Sequence, residues 1–293
     1  MKNIICFGEV LWDVFPEHKK IGGAPLNVAV RLQSLGNHVS LISSVGKDGD
    51  GEEIIDFIQQ NKVSSSLVQK DAVLETGKVK VTLDPTGSAS YDIKFPTAWD
   101  NIQLTDQAKT ALQTTDAFVF GSLASRDITS RNTLYELLKL APYKIFDVNL
   151  RKPHYSADVL NHLMCEADFI KFNDEEILEI AQNYDTSMES LEEAVKLIAQ
   201  KTNTKSICVT KGSKGAMLYY NNVFYNNPGY PIKVVDTVGA GDSFLASLID
   251  QLLKETHPQR AINFACAVGA IVASSKGANP KIEQQAIDEI INA

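Results

Sequence analysis

Short β-branched, apolar runs alternate with amphipathic segments along almost the whole chain, and that alternation confines it to strands crossed over by helices. Runs at 4–7, 39–45, 117–120, 144–148, 169–172 and 207–210 predict core strands. Helical character predicts helices over 25–35, 51–60, 130–140, 174–181, 188–199, 241–253, 259–273 and 282–291. Strands separated by helices join in parallel, because a parallel crossover needs a dozen or more residues. The expected fold class is therefore α/β, a mostly parallel sheet flanked by helices on both faces, in a single domain over 1–293. One stretch, 76–95, breaks the pattern. There polar and apolar residues alternate about Asp84-Pro85-Thr86-Gly87, which predicts a hairpin. It is either an antiparallel edge of the main sheet or a small β lid over the sheet's carboxyl ends.

A net charge of −8 argues against a nucleic-acid surface, which would need clustered Lys and Arg. An anionic ligand is still possible where a helix N-terminus, a metal ion or a few placed lysines supply positive charge. Cys6, Cys165, Cys208 and Cys266 are scattered, form no CxxC pair, and read as buried small hydrophobes in a reducing cytoplasm. Residues 4–7 are too short an apolar run for a signal peptide. No stretch approaches a membrane span, and the apolar tract 261–273 reads as a buried helix. The expectation is a soluble cytoplasmic protein with no nucleic-acid and no membrane partner.

The most informative local feature follows Val234-Val235, where a β-branched strand leads into Asp236-Thr237-Val238-Gly239-Ala240-Gly241-Asp242-Ser243-Phe244. Glycines let the backbone approach a ligand, and N–H groups opening a helix point at an anion. Asp242 falls in the first helical turn, beside whatever anion binds. A bare carboxylate next to a phosphate is repulsive, so its presence needs a reason. Accepting the proton of a hydroxyl that attacks phosphorus supplies one. The same residues also read as an ordinary strand-to-helix turn capped by an aspartate.

This segment resembles the C-terminal signature of the ribokinase-like (PfkB) carbohydrate kinases, with Val238 where the usual form has threonine. Gly22-Gly23-Ala24-Pro25-Leu26-Asn27-Val28-Ala29 is similar to the family's second signature, near the N-terminus. Val45-Gly46-Lys47-Asp48-Gly49-Asp50-Gly51 matches its Gly-x-Asp-x-x-Gly pattern. The three motifs fall in the expected order and span nearly the whole chain. The resemblance implies a ribokinase-like fold with a β lid drawn from about 10–22 and 76–96. It implies ATP and Mg2+ as cofactors, Asp242 as catalytic base, and the amides of Gly239, Ala240 and Gly241 stabilising the transferred group. A homodimer formed through the lid is a further implication.

For the sugar, the resemblance implies Asp13, Gly22, Gly23 and Asn27. The residues support this independently, since an Asn amide both donates to and accepts from vicinal hydroxyls. The alternative is a plain glycine turn with a solvated Asn27 and a surface Asp13. In Asp147-Val148-Asn149-Leu150-Arg151, continued strand alternation would set Asp147, Asn149 and Arg151 on one face. The stretch resembles the Asp-x-Asn-x-Arg element of fructokinases and ketodeoxygluconate kinases. It implies sugar contacts from Asp147 and Asn149, with Arg151 neutralising charge on the γ-phosphoryl group. A strand-end ion-pair cluster is the alternative.

Asn173-Asp174-Glu175-Glu176 resembles the Asn-x-x-Glu motif, in which Asn173 serves the nucleotide and Glu176 the magnesium, largely through water. It also reads as a helix capping box. Thr210-Lys211-Gly212-Ser213-Lys214-Gly215 resembles the element along the ATP phosphates and ribose, giving Thr210, Gly212 and Gly215 as contacts. Its plainer reading is a hairpin turn. Cys266 falls where relatives line the adenine pocket, and otherwise reads as helix packing. The loop 273–280, with Asp236 and the Val238 carbonyl, resembles a monovalent-cation loop, implying K+ near Ala273 and Gly277.

Together these point to an ATP-dependent sugar kinase, with fructose to fructose 6-phosphate as the first reading. Ketodeoxygluconate kinase and ribokinase stand behind it. A non-catalytic sugar- or nucleotide-binding regulator of the same fold is the alternative from another class. A dinucleotide-dependent oxidoreductase would need Gly-x-Gly-x-x-Gly after the first strand, and residues 8–13 lack it.

Overall fold

The computed structural model describes residues 1–83, 89–186 and 190–292. The predicted turn at 84–87 lies outside the described residues, as do residues 188–189 of a predicted helix. The chain groups into two compact units. Residues 3–118 and 123–142, with Met1, form the first; 119–122 and 143–293, with Lys2, form the second.

The first unit begins with β1 (Asn3–Phe7), β2 (Leu11–Val14), β3 (Lys19–Gly22), α1 (Ala24–Ser34), β4 (His38–Gly46) and α2 (Gly49–Gln60). It continues with β5 (Val68–Asp71), β6 (Gly77–Leu83), β7 (Ala89–Ile93), α3 (Asp106–Leu112), β8 (Ala117–Gly121), whose last residues belong to the second unit, and α4 (Ile128–Leu138). Its main strands run β8-β1-β4-β5, with β1, β4 and β5 parallel. The predicted hairpin is not an edge of that sheet. It pairs into a separate sheet of order β3-β2-β6-β7, in which β2 and β6 are parallel and the outer pairs antiparallel. Leu11, Val79 and Val81 bury one face of this small sheet against Phe15 and Ile93. Trp12 Nε1 donates to the Asp50 carbonyl at 3.1 Å, and Lys19 and Lys78 reach the Asp50 carboxylate at 2.7 and 2.6 Å, which pins the small sheet to α2.

The second unit contains β9 (Lys144–Asp147), α5 (Ala157–Glu166), β10 (Phe169–Asn173), α6 (Asp174–Gln182), α7 (Leu191–Thr202) and β11 (Ser206–Thr210). After these come β12 (Ala216–Tyr220), β13 (Val223–Asn227), α8 (Ala240–Leu253), α9 (Pro258–Ala273) and α10 (Gln284–Asn292). Strand order is β13-β12-β11-β10-β9-β8. Strands β9, β10 and β11 are parallel, and β12 and β13 return antiparallel. The class is α/β with a mostly parallel sheet, as the alternation predicts. Val234 and Val235 form no strand: they are 56% and 50% exposed, and the Val235 N–H donates to the Ala273 carbonyl instead of a ladder. Cys6, Cys208 and Cys266 are buried as expected, whereas Cys165 is exposed. Among the described residues no helix is long and apolar enough to cross a membrane.

The Gly-x-Asp-x-x-Gly motif has a local structural job. Asp48 caps α2 by accepting from the Gly51 N–H at 2.8 Å, and it also accepts from the Thr76 N–H and hydroxyl at 2.9 and 2.6 Å. Gly51 is required because a Cβ there would run into the Gly46 carbonyl and lie 2.8 Å from the Thr76 hydroxyl. Burial pushes the Asp48 carboxyl up, but the Thr76 and Gly51 hydrogen bonds outweigh it and hold it below the ordinary range. A carboxyl depressed in the folded state stabilises above its unfolded pKa, about 3.9, and loses that contribution as pH falls through the folded value. Asp48→Ala should therefore lower unfolding free energy by about 0.5–2 kcal/mol at neutral pH. In urea titrations the gap from wild type should close progressively below about pH 4.

Candidate functional site

In the first unit, Asp13 and Gly22 lie on paired strands, and Gly23 precedes α1. Asp13 is half-buried on β2, and its Oδ2 sits 2.5 Å from where a Cβ on Gly22 would be. Gly22 is thus a glycine because the Asp13 carboxylate fills its side-chain space. Gly23 has φ 116°, and a Cβ there would press on the Glu9 carbonyl. This tight turn starts α1, where the Asn27 N–H donates to the Gly23 carbonyl at 2.9 Å and Asn27 is buried.

In the second unit, three successive parallel strands end on predicted site residues: β9 on Asp147, β10 on Asn173 and β11 on Thr210. Ligands of open α/β sheets bind outside the carboxyl ends of the strands. The ladder register sets Lys171 directly beside Asp147 on one side and Cys208 on the other. Lys171 Nζ and Asp147 Oδ1 are 2.9 Å apart, and the two residues are only 6% and 4% exposed. Asp147 Oδ2 is buried with no hydrogen-bond partner among the described residues. Burial alone would lower the Lys171 ammonium's pKa. The carboxylates of Asp147, Glu176 and Asp242 outweigh that and hold it above the usual lysine range. These neighbours favour the charged form of Lys171.

The capping box predicted at Asn173 is present. Asn173 accepts from the Glu176 N–H at 2.8 Å, and Glu176 Oε2 accepts from the Asn173 N–H at 2.8 Å. Glu176 Oε1 also accepts from the Leu150 N–H at 2.8 Å, tying α6 to the loop after β9. Burial raises the Glu176 carboxyl, with Lys171 and these N–H donors pulling in the opposite direction.

Strand alternation does not continue to Arg151. Strand β9 stops at Asp147, and Asn149 takes a left-handed φ of 39° that turns the chain. Arg151 is exposed, with Nη1 donating to the Leu150 carbonyl at 2.9 Å.

The glycine turn enters α8 with Gly239 as its N-cap at φ 76°. A Cβ on Gly239 would lie 2.6 Å from the Ala278 backbone, so the turn is seated on the loop after α9. Asp242 is the third helical residue and half-buried. The Ala240 N–H is donated to the Thr237 carbonyl at 3.2 Å, which leaves the next residues of the first turn as the stronger anion donors.

Beside this turn opens a cavity of about 620 Å³, lined by Thr210, Gly212, Gly215, Ala240, Gly241 and Cys266 among others. The range for small-molecule sites is about 300–1,000 Å³. The plainer reading of 210–215 as a hairpin turn holds. Thr210 pairs with Ala216, and the turn between them forms part of the wall. Asn173 and Gly239 do not line the cavity.

Lys171 was not among the residues expected at the site, nor were Tyr230, Phe244, Gly269 and Ala270 on the cavity wall. The spacing of Cys266, Gly269, Ala270 and Ala273 places small residues on one helical face, a signal that could have found that wall. Burial pushes the Cys266 thiol up to about 12, with Lys211 opposing, so it behaves as an apolar wall group and not as a thiolate.

The four residues of the expected monovalent-cation loop are brought together. Asp236 Oδ1 accepts from the Val238 N–H at 3.0 Å and Oδ2 from the Gly277 N–H at 3.2 Å. The Ala273 carbonyl accepts from the N–H groups of both Val235 and Asp236, at 2.8 and 3.2 Å.

The two glycines of the turn should respond differently to alanine. Gly239→Ala meets the Ala278 backbone and an unfavourable φ, and should lose roughly 1–3 kcal/mol in a denaturant titration. At Gly241 the nearest atom to an added Cβ is Lys171 Nζ at 3.6 Å, so Gly241→Ala should cost less than about 1 kcal/mol.

Residues 2–285 match the pfkB family carbohydrate kinase. "Probable fructokinase-5" of Arabidopsis thaliana is 28% identical over 308 residues, spanning 95% of this chain and 94% of the relative. Among solved structures, an uncharacterized sugar kinase of Pyrococcus horikoshii is 28% identical, with a TM-score of 0.85 over 99% of each chain. A fructokinase double mutant of Vibrio cholerae, bound to fructose, ADP and potassium ion, is 26% identical at TM-score 0.84, over 99% of this chain and 98% of that one. The ribokinase-like fold and a match over nearly the full length place this chain in the pfkB family of carbohydrate kinases, as a sugar kinase.

Proposed function

We propose that this sugar kinase transfers the γ-phosphoryl group of ATP to a hydroxymethyl group of fructose, giving fructose 6-phosphate. The observation that carries the reading is Asp242. It is a half-buried carboxylate in the first turn of α8, next in sequence to Gly241, which lines the cavity. The fructokinase relatives along most of the chain support fructose as the acceptor.

In this reading Asp242 takes the proton of the acceptor hydroxyl as its oxygen attacks the γ-phosphorus. The new oxygen–phosphorus bond forms while the bond to the β,γ-bridging oxygen breaks. The electron pair of the broken bond leaves with ADP. First-turn N–H groups of α8 take up charge on the transferred group. The cavity holds the nucleotide, with Thr210, Gly212 and Gly215 on one wall and Cys266 on the other. In the first unit, Asp13, Gly22, Gly23 and Asn27 are the proposed sugar contacts, and in the second Asp147 and Asn149. The small sheet of β2, β3, β6 and β7 is the proposed lid.

Magnesium fits as an ion held mainly by the nucleotide's phosphates. Among the described residues no group of three or more His, Cys, Asp or Glu could hold a metal. Both Glu176 oxygens already accept a backbone N–H, so Glu176 suits an outer role through water. Bound there, the ion would neutralise phosphate charge. Potassium fits less fully, because the Ala273 carbonyl has both lone pairs engaged. That proposal rests on Asp236, Val238 and Gly277.

Asp242→Asn should lower kcat by about 10²–10⁴-fold while leaving the melting temperature near wild type. A coupled ADP-release assay across fructose, ribose, ketodeoxygluconate and adenosine should give its highest kcat/KM with fructose. Near-normal turnover by the Asn variant would remove Asp242 as the base, and preference for another acceptor would replace fructose.

A further inference from the structure

Phosphoryl transfer spreads negative charge over the transferred group and the departing phosphate, and a fixed positive group nearby stabilises it. In a chain of net charge −8 such a group must be placed locally. Arg151 is exposed and directs Nη1 at its neighbour's carbonyl. Lys171 is differently situated. The parallel register holds it between Asp147 and Cys208, with Nζ 2.9 Å from Asp147 Oδ1. The same Nζ is 3.6 Å from the position of a Cβ on Gly241, so the ammonium lies against the turn that opens α8 and lines the cavity. A pair serving only to neutralise itself in a core would engage both carboxylate oxygens. Here Asp147 Oδ2 is buried without a partner among the described residues, so the pair is only partly self-satisfied.

We propose that Lys171 is the fixed cation of phosphoryl transfer, its ammonium locked by Asp147 against the glycine turn so as to stabilise charge developing on the transferred group. This rests on the kinase reading of Asp242. Lys171 gives up no proton: the acceptor's proton goes to Asp242, and the electron pair of the broken bond leaves on ADP. The charge acts in the transition state more than in the ground state, which gives it a kinetic signature separate from nucleotide affinity.

The test compares wild type, Lys171→Met, Lys171→Arg and the double variant Lys171→Met/Asp147→Asn, at saturating sugar and ATP, with melting temperatures alongside. Lys171→Met should lower kcat by about 10²–10³-fold with the KM for ATP changed less than about threefold. Lys171→Arg, which keeps the charge, should recover to within about tenfold of wild type. The double variant removes the charge imbalance that could unfold the single variant, so it should melt near wild type yet remain about 10²-fold or more slower. A double variant turning over within about tenfold of wild type would mean that Lys171 only neutralises Asp147, overturning the proposal. A rise in the KM for ATP at unchanged kcat in Lys171→Met would overturn it equally. Wild type that phosphorylates no sugar would overturn the kinase reading itself, a failure visible before any variant is made.

Discussion

An ammonium and a carboxylate facing each other across a parallel ladder are withdrawn from water in the second unit, and neither could be buried there alone. An unpaired charge in such surroundings costs several kcal/mol, and removing one partner of a buried pair costs about 3–5 kcal/mol. The pairing of Lys171 with Asp147 exists only in the observed register of β9 and β10, because a slip of one residue would turn one of the two side chains to the opposite face of the sheet. The ion pair and the strand register therefore specify each other. Asp147 and Asn173, at the ends of these strands, are positioned by the same constraint.

Around that pair, the loops are fixed by backbone donors turned onto side-chain oxygens. Glu176 takes N–H groups from Asn173 and Leu150, so one carboxylate caps α6 and holds the segment leaving β9. Asp236 does the same for the turn before α8 and the loop after α9, accepting from Val238 and Gly277. Gly239 completes the arrangement by leaving room for Ala278. The Glu176 and Asp236 carboxylates thereby pair N–H groups in loops and at the end of β10. Each also keeps a loop from drifting by the fraction of an ångström that matters for phosphoryl transfer.

The parts of this structure legible in the sequence are those where one residue type has one physical use. The six core strands and most long helices follow from periodicity, and the Gly-Ala-Gly-Asp turn follows from what glycine permits. Strands β2 and β3 were reached only through the β lid that the resemblance implies over about 10–22, and β5 not at all, because segments such as Lys19–Gly22 and Val68–Asp71 are too polar and brief to alternate. Helix α5 lacks a clear apolar stripe at its start and escaped for that reason. Arg151 leaves the expected strand face because β9 ends four residues before it, and Asn149 turns the backbone between them. Lys171 was invisible for a deeper reason. A lysine inside Phe-Ile-Lys-Phe-Asn reads as one solvent-facing position of a strand, and only the neighbouring strand's register shows that its partner is Asp147.

Charge counting links this cluster to the ligand it suits. Lys171 interacts with three carboxylates, Asp147, Glu176 and Asp242, so the group carries an excess of negative charge when all are ionised. Burial lifts the Glu176 carboxyl, Lys171 opposes that, and the Asp147 carboxylate adds to it. An anionic phosphate arriving alone would add to the repulsion, and one helix N-terminus contributes only about half a unit of positive charge. A divalent cation arriving with the phosphates cancels part of their charge and lessens that repulsion. The acidity of the site, awkward beside a bare phosphate, thus becomes a reason for it to accept nucleotide and magnesium together.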